Sequence, residues 1–437
     1  MEQPRQLCAL GAQQTVAAIE RAIPILHAGP GCGYKLHLGL GFFNGYQGGG
    51  YSGGAAIACT NTGEKEVVFG GGNRLASTIE GALKVMNGDL FVVLSGCTSE
   101  LVGDDSQSIV DKYLKSGVPI VFASTAGFRG NNLLGHEIVV NAIIDQLIRP
   151  VTANEKIPGL VNVWSSVPYH DPFWSGNLLA VKGLLEGIGL RANILFGPGS
   201  GGLSAWRKIP AAQFNLVLSS WVGIKTAKNL EERFQTPWLH YPTLPTGGLE
   251  TSHFLRTVAE FAGINSSTAD EFIRKQEAVF HFHYERMADF FMEFRWDLPG
   301  NFSVVADSYY ASGISRLLTN EFGLIPSSQF ITDEPPEEFH SKITQSFQNI
   351  APGISADIKF SWDGETIRQT LRNFRASPPI ILGSSWDREI ARELGACHIS
   401  IAGPITDRLV GSCTYLGYSG GLRLIEDLYS SILGAIQ

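Results

Sequence analysis

The most constraining feature of this sequence is the alternation of short apolar runs with amphipathic stretches such as SIVDKYLKSG, LLAVKGLLEGIG, ISRLLTNEFG and IRQTLRNF. Unbroken apolar runs between helical stretches are typical of strands buried on both faces of a parallel sheet. The pattern therefore predicts an α/β protein with doubly wound parallel sheets. The predicted strands are Asp89–Gly96, Val118–Thr125, Leu160–Val167, Ala192–Gly199, Phe214–Trp221, Asn301–Ser308 and Pro378–Ser385.

The length of the chain predicts more than one domain, because 437 residues exceed what one compact core usually holds. Composition shifts near Asn154–Gly159 and Pro299–Asn301 divide the α/β pattern into three parts. We therefore expect three Rossmann-like domains, comprising residues 1–153, 154–298 and 299–437. A long amphipathic stretch, Thr268–Trp296, is expected to bridge the second and third of them.

Charge and hydropathy exclude several classes of partner. The net charge is −8 and no basic block is longer than WRK, which argues against nucleic acid or an anionic membrane as the main partner. No apolar run approaches the roughly 18 residues that span a bilayer. The N-terminal sequence MEQPRQLCALG has no signal-peptide pattern. We therefore expect a cytoplasmic protein without a disulfide framework.

Three cysteines follow apolar runs at places where a strand should give way to a turn. Cys32 follows AIPILHAG, Cys59 ends GGAAIAC, and Cys97 follows LFVVLSG. Ligands of open α/β sheets bind beyond the carboxyl ends of the strands, so three such strands in one sheet would bring the thiols into one crevice. Nearby helix N-termini and backbone N–H groups should favour thiolates there.

The spacing of these cysteines limits what they can bind. A zinc site usually shows C-x2-C pairs and four ligands, and no such pair is present. Iron–sulfur clusters are held by cysteine thiolates, and glycine lets the backbone approach a cluster closely. Three ligands leave such a site incomplete unless another chain closes it. Free cysteines are also common buried hydrophobic residues, an alternative that spacing alone does not decide.

The longer motifs around these cysteines resemble the nitrogenase component 1 family. HAGPGCGY surrounds the first cysteine, EKEVVFGGGNRL follows the second, and LSGCTSELVGDD surrounds the third. The resemblance continues through VPIVFASTAGFRGN, TPWLHYPTLPTGGLETSHFL and GPITDRLVGSCTYLGYSGGLRLIEDL, and it covers nearly the whole chain. Catalytic D-type (α) chains of this family hold the active-site cofactor partly through a mid-chain cysteine. This sequence has no cysteine between Thr98 and Ala396, so it resembles the K-type (β) partner.

The resemblance implies a set of ligands and partners. Cys32, Cys59 and Cys97 would hold half of a bridging [8Fe-7S] P-cluster, and a D-type chain would supply the other thiolates. An α2β2 heterotetramer and a separate ATP-dependent iron protein are implied with it. The iron protein would deliver electrons through the cluster to the cofactor of the D-type chain. This sequence has no G-x-x-x-x-G-K-[ST] loop, so we do not expect it to bind ATP.

Three departures from molybdenum-nitrogenase K-type chains favour another reductase. The long N-terminal extension is absent, the linker from Cys32 to Cys59 contains GYQGGGYSGG, and Gly127 stands where those enzymes have a serine. A methylthio-alkane reductase, which cleaves carbon–sulfur bonds, is the leading hypothesis. The alternatives are the β subunit of an iron-only or vanadium nitrogenase, an N-type cofactor-assembly scaffold, and a tetrapyrrole-reducing enzyme. Scaffold chains often lose part of the cysteine set, so retention of all three favours an electron relay.

Several weaker signals are better explained by structure than by chemistry. The stretch GPGSGG (Gly197–Gly202) has no acidic residue about 20 positions on and is expected to form a tight turn. His281 and His283 have the wrong spacing for a metal pair on a helix. Cys8 lies one element before Cys32, so a place in the lining of the cluster site is an alternative for it, but a buried thiol is the favoured expectation. Cys397–His398 is expected to belong to a core strand. Glu100, Asp104 and Asp105 could tune the cluster, but helix capping is the favoured explanation, with Asp104 or Asp105 as the N-cap of SQSIVDKYLKSG.

Overall fold

The computed structural model describes residues 4–48, 57–150, 155–294, 299–348, 350–373 and 379–436. Most of the stretch GYQGGGYSGG, the start of the run GGAAIAC and both predicted domain boundaries lie outside the described residues. The strands of the described chain form three sheets, and every pairing between them is parallel. The predicted α/β class with several parallel sheets is therefore confirmed.

The first sheet has the strand order β2-β1-β3-β4. All residues of β1 and β3 are buried, as their unbroken apolar sequences AIPILH and LFVVLS predict. The strands are β1 (Ala22–His27), β2 (Ala58–Cys59), β3 (Leu90–Ser95) and β4 (Ile120–Ala123). The helices are α1 (Gln13–Ala18), α2 (Pro30–Phe42), α3 (Glu64–Phe69), α4 (Gly72–Val85), α5 (Cys97–Val102), α6 (Ser106–Lys115) and α7 (Asn132–Leu147), with short 3-10 turns at Ala9–Ala12 and Gly127–Arg129.

The second sheet has the strand order β6-β5-β7-β8. Its strands are β5 (Ile157–Trp164), β6 (Arg191–Asn193), β7 (Ala212–Leu218) and β8 (Trp238–Tyr241). Its helices are α8 (Trp174–Gly187), α9 (Leu203–Arg207), α10 (Ile224–Phe234), α11 (Gly247–Ala262) and α12 (Ser266–Phe294), with a 3-10 turn at Ile209–Ala211. The long helix α12 matches the predicted amphipathic stretch in the part that is described, and it packs against α11 and the C-terminal helix.

The third sheet has the order β12-β11-β9-β13-β14, with β10 paired to β9. Its strands are β9 (Asn301–Ala306), β10 (Ile325–Pro326), β11 (Gln329–Ile331), β12 (Ile358–Phe360), β13 (Ile380–Gly383) and β14 (His398–Ser400). Its helices are α13 (Ser308–Asn320), α14 (Glu337–Ser346), α15 (Gly364–Arg372), α16 (Arg388–Leu394) and α17 (Gly417–Ile436), with a 3-10 turn at Ser385–Asp387. Each sheet lies within one of the three predicted domain ranges, whose bounds stay a prediction.

The N-terminal segment ties the first and third sheets together. The Arg5 guanidinium donates to the Asp387 carboxylate at 2.6 Å, and both side chains are almost completely buried. Gln6 donates to the Thr332 carbonyl from the same segment. Because removing one partner of a buried ion pair leaves an uncompensated charge, this contact makes the position of the segment strongly dependent on Arg5.

Candidate functional site

The three candidate cysteines lie at the carboxyl ends of three neighbouring strands. Cys59 is the last residue of β2, Cys32 is the third residue of α2 after β1, and Cys97 is the first residue of α5 after β3. The order β2-β1-β3 makes these strands adjacent, and Cys59 is paired in register with Leu26 of β1. The three strands share one sheet, which is the condition under which the three thiols come to one edge. This edge, which we call the thiol edge, is where a doubly wound sheet offers a ligand site.

Backbone N–H groups point at two of the sulfurs. The Gly127 N–H donates to Cys97 Sγ at 3.1 Å, and the Asn61 N–H donates to Cys59 Sγ at 3.4 Å. Hydrogen bonds of this kind stabilise a thiolate, and in iron–sulfur sites they tune the reduction potential. The backbone N–H donors at the thiol edge are therefore placed to stabilise cysteine sulfur in its negatively charged thiolate form.

Glycines let the loops of the thiol edge approach one another without side chains between them. A Cβ at Gly127 would lie 3.1 Å from Cys97 Sγ, and a Cβ at Gly96 would lie 2.6 Å from the Cβ of Ala28. Either added Cβ would lie too close to that neighbouring atom, so one of the two residues would have to shift. Thiol donors surrounded by bare backbone are the combination that a sulfide-rich cluster needs, so these residues fit an iron–sulfur group.

The ionisation of Cys59 departs from the expectation that every thiol would be favoured as thiolate. Burial raises the pKa of the Cys59 thiol, and the contacts with Asn61 and Ala28 offset only part of this effect. The cause is desolvation of the charged form. The N–H donor therefore acts in the expected direction, but burial outweighs it at Cys59 in the protein alone. Bound metal would reverse it, since a coordinating thiol is deprotonated by the cation.

Glu100 braces the loop that carries Gly127. Its carboxylate accepts hydrogen bonds from Ser95 and Ser124, and the Arg129 guanidinium donates to it at 3.0 Å. Burial alone would raise the pKa of Glu100, but these three donors lower it below its usual range. Helix capping was the wrong prediction for Glu100, because its partners lie at the ends of β3 and β4 and on the loop beyond. Glu100 fixes the loop that donates to Cys97.

Asp104 pairs with a buried histidine and does not cap a helix. Its Oδ2 lies 2.9 Å from His27 Nε2, and its Oδ1 accepts from the Gly71 N–H at 2.7 Å. Burial lowers the pKa of His27, against the opposing effect of Asp104. The predicted cap is instead Asp105, whose carboxylate accepts from the Ser108 N–H at the start of α6. The Asp104–His27 pair, which sequence reasoning missed, joins the end of β1 to the segment after α5.

The arrangement does not form a site for a single metal ion. Among the described residues, no group of three or more His, Cys, Asp or Glu side chains could hold one ion. A zinc ion requires four ligands that converge on it. An iron–sulfur cluster is larger than one ion, so the thiolates that would hold it need not converge on a single point.

Apolar side chains are exposed around the thiol edge. The exposed fractions are 67% for Tyr34, 71% for Val68, 81% for Phe69, 77% for Leu101 and 59% for Phe128. Tyr34 follows Cys32 on α2, Leu101 follows Cys97 on α5, and α3, which carries Val68 and Phe69, packs against α5. Exposed apolar patches of this kind mark protein interaction sites. The surface around the cysteines is therefore suited to another protein chain.

The other thiols differ in their positions. Cys8, expected to be a buried thiol, is half-buried and lies against Gly127 of the thiol edge. Cys397 directly precedes β14 in the third sheet, as the predicted core strand requires, and its thiol donates to Ser431 Oγ at 3.3 Å.

The stretch GPGSGG forms the predicted turn, since its four glycines have positive φ.

A second polar cluster lies where the carboxyl ends of the second and third sheets face each other. A cavity of about 40 Å³ is lined there by Asp171, Asp307 and Asp333. Asp171 accepts from the Tyr310 hydroxyl at 3.0 Å, and Asp333 accepts from Trp221 Nε1 at 2.8 Å. We call this region the carboxylate junction. Its hydrogen bonds cross from one sheet to the other.

Burial shifts the pKa values of the acidic residues at the carboxylate junction. Desolvation raises the pKa of Asp171 and of Asp333 to about 6, and the Asp307 charge adds to both shifts. His170 lies 3.1 Å from Asp307, and its pKa is raised because the nearby carboxylates outweigh the cost of its burial. The volume leaves room for a few water molecules at most.

No helix among the described residues is long and apolar enough to cross a membrane.

Comparison with known proteins gives one family match that covers nearly the whole chain and several relatives that cover more than half of it. Residues 8–433 match the profile of the family "Nitrogenase component 1 type Oxidoreductase". The nitrogenase molybdenum-iron protein beta chain of Methanococcus maripaludis is 24% identical, over 97% of this chain and 92% of that protein. A chain of the light-independent protochlorophyllide reductase from Angiopteris evecta is 23% identical, over 78% of this chain and 67% of that protein.

Two further comparisons are with a nitrogenase α chain and with a solved structure. The nitrogenase molybdenum-iron protein alpha chain of Methanosarcina barkeri is 28% identical, but over 58% of this chain and 45% of that protein. A solved structure of nitrogenase Cp1 at pH 6.5 superposes with a TM-score of 0.78 and 20% identity, covering 99% of this chain and 93% of that one. The fold is therefore shared with this structure over almost the entire length.

Proposed function

Because the chain belongs to the family of nitrogenase component 1 type oxidoreductases, we propose that it is the K-type (β) subunit of a nitrogenase-like reductase. The matches to β chains support this assignment, since the alignment covers 92% of a β chain but 45% of an α chain. The absence of cysteine between Thr98 and Ala396 supports it as well, because the mid-chain ligand of a D-type chain is missing.

In this proposal the thiol edge holds half of an [8Fe-7S] cluster of the P-cluster type. Cys32, Cys59 and Cys97 would be its ligands, and the position of these three thiols on adjacent strands is the observation that carries the proposal. When bound, such a cluster takes up and releases electrons at low potential. The Gly127 and Asn61 N–H groups would donate to ligand sulfurs and so favour their thiolate form.

The partner that completes the site is a D-type (α) chain, in an α2β2 assembly. Three thiolates from one chain leave a cluster open on one side, and the exposed apolar side chains around the cysteines offer the surface on which that chain would dock. Permanent interfaces are large and apolar, which agrees with exposed residues such as Phe69 and Leu101. An ATP-dependent iron protein would then supply electrons to the shared cluster.

The leading substrate class is methylthio-alkanes, reduced at the carbon–sulfur bond. Dinitrogen reduction by an iron-only or vanadium enzyme and cofactor assembly by an N-type scaffold are the alternatives. The presence of three cysteines and of two N–H donors to their sulfurs favours an electron relay over a scaffold.

The test is a turnover assay of the complex of this chain with its D-type partner, using dithionite, ATP and the iron protein. We expect hydrocarbon release from a methylthio-alkane that stops when either ATP or the iron protein is omitted. Ammonia from dinitrogen without hydrocarbon release would favour a nitrogenase. Turnover at an undiminished rate without ATP or the iron protein would reject the relay assignment. This chain alone should show no ATPase activity, since it lacks a phosphate-binding loop with lysine.

A further inference from the structure

A fourth thiol of this chain lies beside Cys97. A Cβ at Gly127 would lie 3.1 Å from Cys97 Sγ, 3.3 Å from the Cys8 Cβ and 3.6 Å from Cys8 Sγ. The two sulfurs therefore flank the same glycine, which has no side chain to separate them. Cys8 is half-buried, so its thiol is not sealed in the core.

The position of Cys8 is fixed by main-chain hydrogen bonds to the loop that carries Gly127. Cys8 forms an antiparallel bridge with Asn131. The Ala9 N–H donates to the Gly130 carbonyl at 2.8 Å, and the Asn132 N–H donates to the Leu7 carbonyl at 2.8 Å. Since the same loop donates to Cys97 Sγ through Gly127, both sulfurs are held by one piece of backbone.

We propose that Cys8 is an additional sulfur donor to the cluster, at the corner held by Cys97, so that either sulfur can bind that iron. This inference rests on the proposed function. In the wild-type chain this would be a ligand exchange: the Cys8 thiol would lose its proton and bind the iron, the iron–sulfur bond to Cys97 would break, and the released Cys97 thiolate would take up a proton. No electron is transferred in this exchange. Cys32 and Cys59 lie at the two other strand ends, whereas Cys8 is held by the loop beside Cys97.

The experiment compares variants of this chain purified anaerobically as the complex with the D-type partner. Cys97→Ala should retain roughly twofold more iron than Cys32→Ala, since Cys8 replaces the lost ligand. The double variant Cys8→Ala/Cys97→Ala should fall to the iron content of Cys32→Ala. The matched control Cys397→Ala/Cys97→Ala should equal Cys97→Ala, because Cys397 lies in the third sheet.

Two readouts other than turnover decide the outcome: iron per complex and the electron paramagnetic resonance spectrum of the cluster. Cys97→Ala should keep a cluster signal with altered shape, and the double variant should lose it. Equal iron and equal spectra for Cys97→Ala and the double variant would overturn the role of Cys8 while leaving the cluster itself in place. A wild-type complex without cluster iron would overturn both proposals. Cys97→Ser, which keeps the side-chain size, replaces the alanine variant if that one fails to assemble.

Discussion

The thiol edge and the carboxylate junction are built at equivalent places in the fold but with opposite chemistry. Both lie at the carboxyl ends of parallel strands, where doubly wound sheets bind ligands. At the thiol edge, backbone N–H groups point at sulfur and apolar side chains are exposed around it. At the carboxylate junction, the strand ends of two sheets close over a cavity of about 40 Å³ and satisfy each other's polar groups.

The difference shows which edge is available to a group from outside the chain. Asp333 accepts hydrogen bonds from Ser308 and Trp221, so donors within the protein already satisfy its carboxylate. Cys97 receives one hydrogen bond and is otherwise exposed. Buried, internally bonded carboxylates stabilise contacts between domains, whereas exposed thiols with few protein partners can bind metal.

The largest expected effect separates the two regions by iron content. Cys32→Ala and Cys59→Ala should each remove most of the cluster iron from the complex, because the loss of one thiolate opens the cluster. Asp333→Asn in the carboxylate junction and Cys397→Ala in the third sheet should leave iron content unchanged. Iron analysis and redox spectra of the four complexes measure this, and full iron in both thiol-edge variants would show that the cluster interpretation is wrong.

The second effect is a loss of stability that originates in the carboxylate junction. Asp333→Ala leaves the Trp221 Nε1–H and both Ser308 donors without their acceptor, which should cost about 3 kcal/mol in the free energy of unfolding. Urea unfolding followed by tryptophan fluorescence measures the loss. An unchanged midpoint would mean that these hydrogen bonds do not hold the two sheets together.

The third effect is a pH dependence that originates in the carboxylate junction. Burial raises the folded-state pKa of Asp171 to about 6, above its unfolded value near 3.9. The folded protein therefore binds more protons in this window, and the contribution of Asp171 to stability falls by about 1.4 kcal/mol per unit as pH rises from 4 to 6. In urea unfolding, the difference between wild type and Asp171→Asn should follow this slope. A difference that is constant with pH would contradict the assignment.

The smallest effect returns to the thiol edge. Gly127→Ala places a Cβ 3.1 Å from Cys97 Sγ, so the loop or the sulfur must shift by a few tenths of an ångström. We expect a stability loss of about 1 kcal/mol or less and a changed midpoint potential, because the N–H donor to Cys97 moves with the loop. The matched control is Gly81→Ala on α4, where an added Cβ meets no atom within 4 Å. Equal potentials in both variants would rule out this role for the Gly127 hydrogen bond.

The sequence predicted the parts of the fold and site that depend on local pattern. Apolar runs specify buried parallel strands, and the rule for strand ends then places Cys32, Cys59 and Cys97 at one edge. The partners of Asp104 and Glu100 were not predictable in this way. Asp104 pairs with His27 across 77 residues, and such a contact depends on how two loops pack. Helix capping was the role that local sequence favoured for both acids, whereas in the structure both make long-range contacts instead.

The position of Cys8 could not be decided from the sequence for the same reason, because a thiol lining the cluster site and a buried thiol were both open and the buried thiol was favoured. Its segment precedes β1 by one helix, and nothing in its sequence indicates that it forms a bridge with Asn131. Glycine at position 127 was the available signal, since a residue without a side chain permits close approach of two other groups. The signal became informative only when the structure showed which two sulfurs lie beside it.

The measurement that tests the central claim most directly is the iron content of this chain produced alone, compared with that of its complex with the D-type partner. In the proposed function, Cys32, Cys59 and Cys97 supply only half of the cluster ligands. We therefore expect that the anaerobically purified chain alone lacks the cluster and its redox signal, while the complex contains both. A stable single chain that carries a complete cluster would contradict the account.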